Sequence, residues 1–186
     1  MNITVYCGAA TGNNSAYSEA VQLVGKWMAS NNHQLIYGGG KAGLMGILAD
    51  EVLKNNGEVI GVMPTFLIDR ELSHPNLTQL EIVNTMSERK NRMVELSDCF
   101  IALPGGPGTL EEISEVISWA RIGQHKNPCI LWNINGYYNK LKEFFDDMVE
   151  SGFLSESDKS IMLFTDSIEE LEQFIEHFKP VAVRTY

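Results

Sequence analysis

Cys99-Phe100-Ile101-Ala102-Leu103-Pro104-Gly105-Gly106-Pro107-Gly108-Thr109-Leu110-Glu111-Glu112 runs from a short apolar strand, through three glycines, straight into a helix. Glycine lets backbone N–H groups approach a ligand with no Cβ in the way. A helix start adds unpaired N–H donors and a partial positive charge, and Thr109 adds a hydroxyl. Gly105, Gly106, Pro107, Gly108 and Thr109 are therefore read as an anion site of the size of a monophosphate. A tight strand-to-helix turn is the plain alternative for the glycines taken alone.

The same strand–glycine–helix unit recurs on either side. Ile3 to Cys7 is a β-branched run ending at Gly8, and Tyr17, Val21, Val24 and Met28 follow at helical spacing. Gln34–Tyr37 reads as a strand ending at Gly38-Gly39-Gly40, and Gly43–Asn55 as a helix. Strands are expected at Glu58–Met63, Leu80–Val83, Ile130–Trp132 and Ile161–Phe164. Helices are expected after Thr85 and at Gly108–Ile122, Tyr138–Glu150 and Ile168–Phe178, with an irregular passage from Pro64 to Asn76. This alternation predicts an α/β fold: a three-layer, Rossmann-like, doubly wound, mostly parallel sheet with helices on both faces. Such sheets bind ligands beyond the carboxyl ends of their strands, where these glycines fall. The 186 residues fit one domain, spanning 1–186.

Two side chains stand out beside the glycine loop. In the helix from Gly108, Leu110, Ile113, Ile117 and Ala120 are expected to form the core stripe, with Ser114 and Ser118 pointing elsewhere. Glu112 shares a side with Val116 and Trp119, at the border of the buried face and one turn from the loop. An acid at a helix start favours the dipole by about 0.3–1 kcal/mol, a part Glu111 already fills. A carboxylate beside a phosphate needs a cation between them or a sugar holding them apart. In the helix that Thr85-x-x-Glu88 opens as a capping box, Met86, Arg89, Met93 and Leu96 share one face. An arginine in an apolar stripe is rarely left unpaired: Arg89 serves a ligand or closes an internal salt bridge. Lys90 does the same or is solvated.

Other classes are excluded by bulk properties and by missing motifs. The formal net charge is −10, so a nucleic acid would be repelled. No apolar run approaches the ~20 residues of a membrane span, and no signal peptide is visible, which predicts a soluble, cytoplasmic protein. Cys7, Cys99 and Cys129 have no metal or redox spacing and read as small buried hydrophobes. Gly38-x-Gly40-x-x-Gly43 matches the dinucleotide fingerprint in form, but Glu58, at the right spacing, sits at the wrong end of its strand. No Gly-Lys-[Ser/Thr] occurs, and no lysine at a strand end offers itself to pyridoxal phosphate.

With these motifs assembled, the chain resembles the LONELY GUY family of cytokinin riboside 5'-monophosphate phosphoribohydrolases, often mislabelled lysine decarboxylases. Val5-Tyr6-Cys7-Gly8, Tyr37-Gly38-Gly39-Gly40 with Gly43-Leu44-Met45-Gly46, Val59 to Pro64, Arg70-Glu71-Leu72, Glu88-Arg89-Lys90 and Pro-Gly-Gly-x-Gly-Thr-x-x-Glu ending at Glu112 carry the likeness, the last most specifically. Many members have histidine where this chain has Ser87, a difference that bears on substrate preference.

The resemblance implies that Arg89 and Glu112 are the catalytic pair. It also implies that Glu71, Lys90, Gly106 to Thr109 and Ser118 contact the ligand, and that the protein is a homodimer; the chemistry needs no metal or redox cofactor, and no His/Cys cluster is present to hold one. Met86 is expected near any substituent on the base. The implied reaction cleaves the N-glycosidic bond of AMP or of an N6-substituted adenylate, giving free base and ribose 5-phosphate. A non-catalytic nucleotide or cofactor carrier on the same fold is the alternative, and it has no need of the Arg89–Glu112 pair.

Overall fold

In the computed structural model, which describes residues 1–70 and 72–183, all seven strands join one parallel sheet. In chain order the elements are β1 (Asn2–Tyr6), α1 (Ser15–Ser30), β2 (Gln34–Tyr37), α2 (Gly43–Lys54), β3 (Val59–Pro64), α3 (Thr65–Ile68), β4 (Gln79–Val83), α4 (Met86–Leu96), β5 (Cys99–Ala102), α5 (Pro107–Arg121), β6 (Cys129–Trp132), α6 (Asn139–Glu150), α7 (Glu156–Lys159), β7 (Met162–Thr165) and α8 (Ile168–His177). The sheet order is β4-β3-β2-β1-β5-β6-β7. The expected architecture is present, and the sheet is wholly rather than mostly parallel.

Burial on both faces matches the parallel arrangement at the centre of the sheet, while the parallel edge strand β4 is largely exposed or half-buried. The central strands β1, β3, β5 and β6 are apolar on both sides and almost entirely buried, the pattern of strands covered on both faces. One face packs Val21, Val24 and Met28 of α1, Leu44, Leu48 and Val52 of α2, and Leu171 of α8 against Ile3, Val5, Leu35 and Ile101. The other packs Met93 of α4, Ile113, Val116 and Ile117 of α5, and Phe145 of α6 against Tyr6, Ile36, Ile60 and Phe100. Each fully buried aliphatic or aromatic side chain contributes roughly 1.5–3 kcal/mol. The three cysteines are buried and unpaired, as their apolar neighbours imply.

The chain winds outward from β1 to β4, then returns through α4 to place β5 on the other side of β1. That reversal leaves a crevice above the carboxyl ends of β1 and β5. It also brings the first turns of α4 and α5 to the same rim of the sheet. Departures from the sequence reading are local. Pro64–Asn76 contains the short helix α3, and α7 was not foreseen because four residues carry no period. Leu110 is 44% exposed, so it is not part of the core stripe of α5; Thr109, Ile113, Val116, Ile117 and Ala120 are buried instead.

Candidate active site

Both loops at the crevice are built from glycine, each for its own reason. A Cβ on Gly105 would stand 2.1 Å from Thr109 Oγ1 and 2.9 Å from the Gly8 nitrogen, so Gly105 lets two loops touch. Gly8 N–H donates to the Pro104 carbonyl at 3.1 Å. Gly106 and Gly108, by contrast, would meet nothing within 4 Å. They face open space, which leaves their backbone accessible.

The start of α5 is an uncapped helix terminus. Gly106 is its N-cap with no side-chain hydrogen bond, and Pro107 at the first position has no N–H to donate. The first helical bond runs from Leu110 N–H to the Gly106 carbonyl, which leaves the amides of Gly108 and Thr109 directed out of the helix end. Thr109 itself is only 5% exposed, and its hydroxyl lies against Gly105 rather than on the surface of the loop. Its contribution at the open end is therefore the backbone amide.

The start of α2 differs. Leu44 N–H donates to the Gly8 carbonyl at 3.0 Å, and a Cβ on Gly43 would meet Ala9 and Ala10 backbone atoms at 2.3–2.4 Å. The chain itself fills the place a dinucleotide's pyrophosphate would take, in line with the missing ribose-binding acid.

Arg89 and Glu112 come together from α4 and α5. Arg89 Nη2 lies 3.9 Å from Glu112 Oε1, with side-chain exposures of 11% and 14%. Thr85 caps α4 by accepting from Glu88 N–H at 3.1 Å, while the Glu88 carboxylate reaches past the cap to Asn84 N–H at 2.8 Å. Glu88 is thus a capping residue. The rest of α4 is fixed by Arg92, whose Nε donates to Glu81 on β4 at 2.6 Å. Lys90 Nζ bridges Glu111 at 2.6 Å and Glu115 at 3.1 Å, which ties α4 to α5.

The guanidinium of Arg89 is under-bonded. Its Nε is buried with no hydrogen-bond partner among the described residues, and Nη1 has only the Met86 sulfur at 3.8 Å. A guanidinium carries five donors in a planar fork suited to phosphate or carboxylate. Burial raises the pKa of the Glu112 carboxyl above the usual carboxylate value, and Arg89 pulls it partly back. Tyr6, at the end of β1, is also held well above its normal pKa, first by burial and then by the charge of Glu112. The pair thus sits at the centre of the sheet's carboxyl edge.

The other expected contacts are placed less uniformly. Met86 is 38% exposed beside Arg89. Ser118 is exposed on the outer face of α5, the face it shares with Ser114. Glu71 lies outside the described residues. Two aromatic residues were not foreseen. The left-handed Asn135 (φ 53°) and Gly136 (φ 70°) turn the chain after β6 and set Tyr137 and Tyr138 over the loop. Their hydroxyls donate to the Gly105 carbonyl at 2.5 Å and the Leu103 carbonyl at 2.8 Å. An aromatic doublet after a strand end was the available signal.

Tyr137 and Tyr17, edge to face at 5.6 Å, help line a cavity of about 400 Å³ with Ala9, Ala10, Gly105 and Gly106. A second cavity of about 440 Å³ lies beyond Tyr137, against Pro107, Leu110 and Leu141. Both open beside the glycine loop, and Arg89 and Glu112 line neither. Among the described residues, no group of three or more His, Cys, Asp or Glu is placed to hold a metal ion, and no helix is long and apolar enough to cross a membrane.

The chain is similar to known proteins along most of its length. A family model described as "Possible lysine decarboxylase" matches residues 45–175. The chain is 41% identical over 179 residues to the cytokinin riboside 5'-monophosphate phosphoribohydrolase LOG5 of Arabidopsis thaliana, covering 96% of this chain and 78% of that protein. It is 43% identical over 178 residues to LOG1 of the same plant, covering 96% and 84%. Among solved structures, the Moco carrier protein from Chlamydomonas reinhardtii superposes with a TM-score of 0.72 at 19% identity, covering 94% of this chain and 97% of that one. At that identity the likeness concerns the fold. Residue identity across nearly the whole chain is the stronger finding, and by it the chain belongs to the LONELY GUY family of cytokinin riboside 5'-monophosphate phosphoribohydrolases.

Proposed function

We propose that this protein hydrolyses the N-glycosidic bond of an adenosine-type nucleoside 5'-monophosphate, AMP or an N6-substituted cytokinin nucleotide, to free base and ribose 5-phosphate. The observation that carries the reading is the buried, under-bonded guanidinium of Arg89 facing Glu112 beside an uncapped helix start. The phosphate accepts from the amides of Gly108 and Thr109, and the ribose reaches over the first turn of α5 towards Glu112.

Breaking the bond between C1' and the base builds positive charge on the sugar. The Glu112 carboxylate stabilises that charge and takes a proton from the attacking water. The bonding electrons leave with the base nitrogen, which takes up the proton that Glu112 removed from the water, and the water oxygen ends on C1'. Arg89 neutralises the repulsion between phosphate and carboxylate and keeps Glu112 ionised. No step calls for a metal or a redox cofactor. A carrier on this fold would have no use for the pair.

The family reading extends to a homodimer. The outer face of α5 supports it, since Leu110 (44% exposed) and Ile122 (48% exposed) flank Ser114 and Ser118 there, and apolar side chains on such a face favour a partner. Buried free thiols support a reducing, cytoplasmic setting.

Two tests bear on the reading. A panel of nucleoside monophosphates, with and without N6 substituents, is expected to release free base, with adenosine lacking the phosphate cleaved far more slowly. Equal cleavage of adenosine and AMP contradicts the phosphate site. In the loop, Gly108→Ala should fold normally and weaken nucleotide binding, because its Cβ meets no protein atom. Gly105→Ala should lower the melting temperature instead, through its clash with Thr109 and Gly8. Calorimetry and nucleotide titration separate the two outcomes.

A further inference from the structure

Gly38 has no backbone reason to be glycine. Gly39 (φ 77°) and Gly43 (φ 60°) lie in the left-handed region, and Gly38 does not. A Cβ built on Gly38 would stand 1.7 Å from Arg89 Nη2, 2.9 Å from its Cζ and 3.5 Å from its Nε. All three nearest atoms belong to that one side chain. We propose that Gly38 is a positioning residue: its missing side chain forms a seat at the end of β2 on which the Arg89 guanidinium rests, aimed at Glu112. This rests on the reading of Arg89 given above.

The seat is stiffer than the arginine it holds. Tyr37 Oη donates to the Gly40 carbonyl at 3.1 Å, Lys41 N–H to the Leu72 carbonyl at 3.0 Å, and His74 N–H to the Gly39 carbonyl at 2.8 Å. Gly40 also bridges Ser73 in antiparallel fashion. The His74 ring is pinned in turn, with Nε2 3.1 Å from Asp50 Oδ1 and Nδ1 accepting from Asn76 N–H at 3.2 Å. A methyl group at position 38 therefore displaces the end of a long flexible side chain, not the loop. The fold survives while the guanidinium leaves its place beside Glu112. Misplacement by about 1 Å can cost on the order of 10²-fold in rate.

The test is a double-mutant cycle on AMP hydrolysis joined to NMR of the protein labelled with ¹⁵N-arginine. Gly38→Ala is expected to lower kcat/KM by roughly 10²-fold. In an Arg89→Ala background the same change should add almost nothing, because the residue through which it acts is gone. The Nε–H resonance assigned to Arg89 by its loss in Arg89→Ala should shift in Gly38→Ala. If Gly38→Ala proves unstable, the double variant must recover the lost melting temperature, since the clash partner is removed. A full further loss of activity in the Arg89→Ala background, an unmoved resonance, or instability that the double variant does not relieve overturns the seat. Normal turnover by Arg89→Ala alone overturns the function proposed for Arg89, and the resonance still decides the seat.

Discussion

Glu112→Gln is expected to lower AMP turnover by about 10³-fold, inside the range of one positioned acid–base group, while nucleotide affinity changes only a few-fold. The substitution keeps shape and removes charge, so binding through the loop amides is untouched. Activity also reports the ionisation of this group. Burial holds the folded pKa of Glu112 above the ordinary carboxylate value, so kcat/KM should rise with pH through an inflection displaced upward from that of a free glutamate. The sign for stability follows from the same shift. A carboxyl whose folded pKa is raised adds stability below its unfolded pKa and loses it as pH rises through the folded value. At neutral pH the ionised side chain thus disfavours folding, and Glu112→Gln should melt higher than the parent at pH 7. The gap should close as pH falls towards 4. Thermal melts across that range check it, and a variant that is both active and less stable at neutral pH contradicts both parts.

Arg89→Ala should be nearly as damaging to catalysis and different in kind. Removing one preorganised charge-stabilising donor from a catalytic site costs about 2.7–4 kcal/mol, so kcat/KM should fall by on the order of 10²–10³-fold. Unlike Glu112→Gln, this change should weaken nucleotide binding as well, because the phosphate loses a cation. It should also raise the Glu112 pKa further, since Arg89 is the largest influence lowering it, and move the acid limb of the pH profile upward. Arg89→Lys should recover only part of the loss, because an ammonium cannot reproduce the planar fork. Normal affinity together with an unmoved pH profile would make Arg89 a structural residue.

The centre of the sheet was legible in the sequence because strands such as β1, β3, β5 and β6 are largely apolar, almost entirely buried, and end at a glycine or turn. Cys99–Leu103 and Ile3–Cys7 show this most plainly, and their packing on both faces is the physical counterpart. Helical spacing likewise placed Arg89 within an apolar stripe and Glu112 at the border of a buried face, and the structure brings the two side chains within 3.9 Å. Leu110 was misplaced for a physical reason: in the first turn of α5 the open face begins at once, and the buried position passes to Thr109, a small polar residue that hydropathy does not favour. The role of Gly38 could not be read from spacing. It depends on the approach of a side chain 51 positions away in the sequence, which only the three-dimensional structure supplies. Tyr137 and Tyr138 were missed on similar grounds, because the left-handed turn at Asn135–Gly136 redirects them onto the loop.

A crystal structure of the Glu112→Gln variant with AMP addresses the central claim most directly. The account predicts phosphate oxygens within about 3 Å of the amides of Gly108 and Thr109, with the side chains at positions 89 and 112 on either side of the C1' atom. A nucleotide bound with its sugar in the cavity beside Tyr17, remote from both side chains, would contradict it.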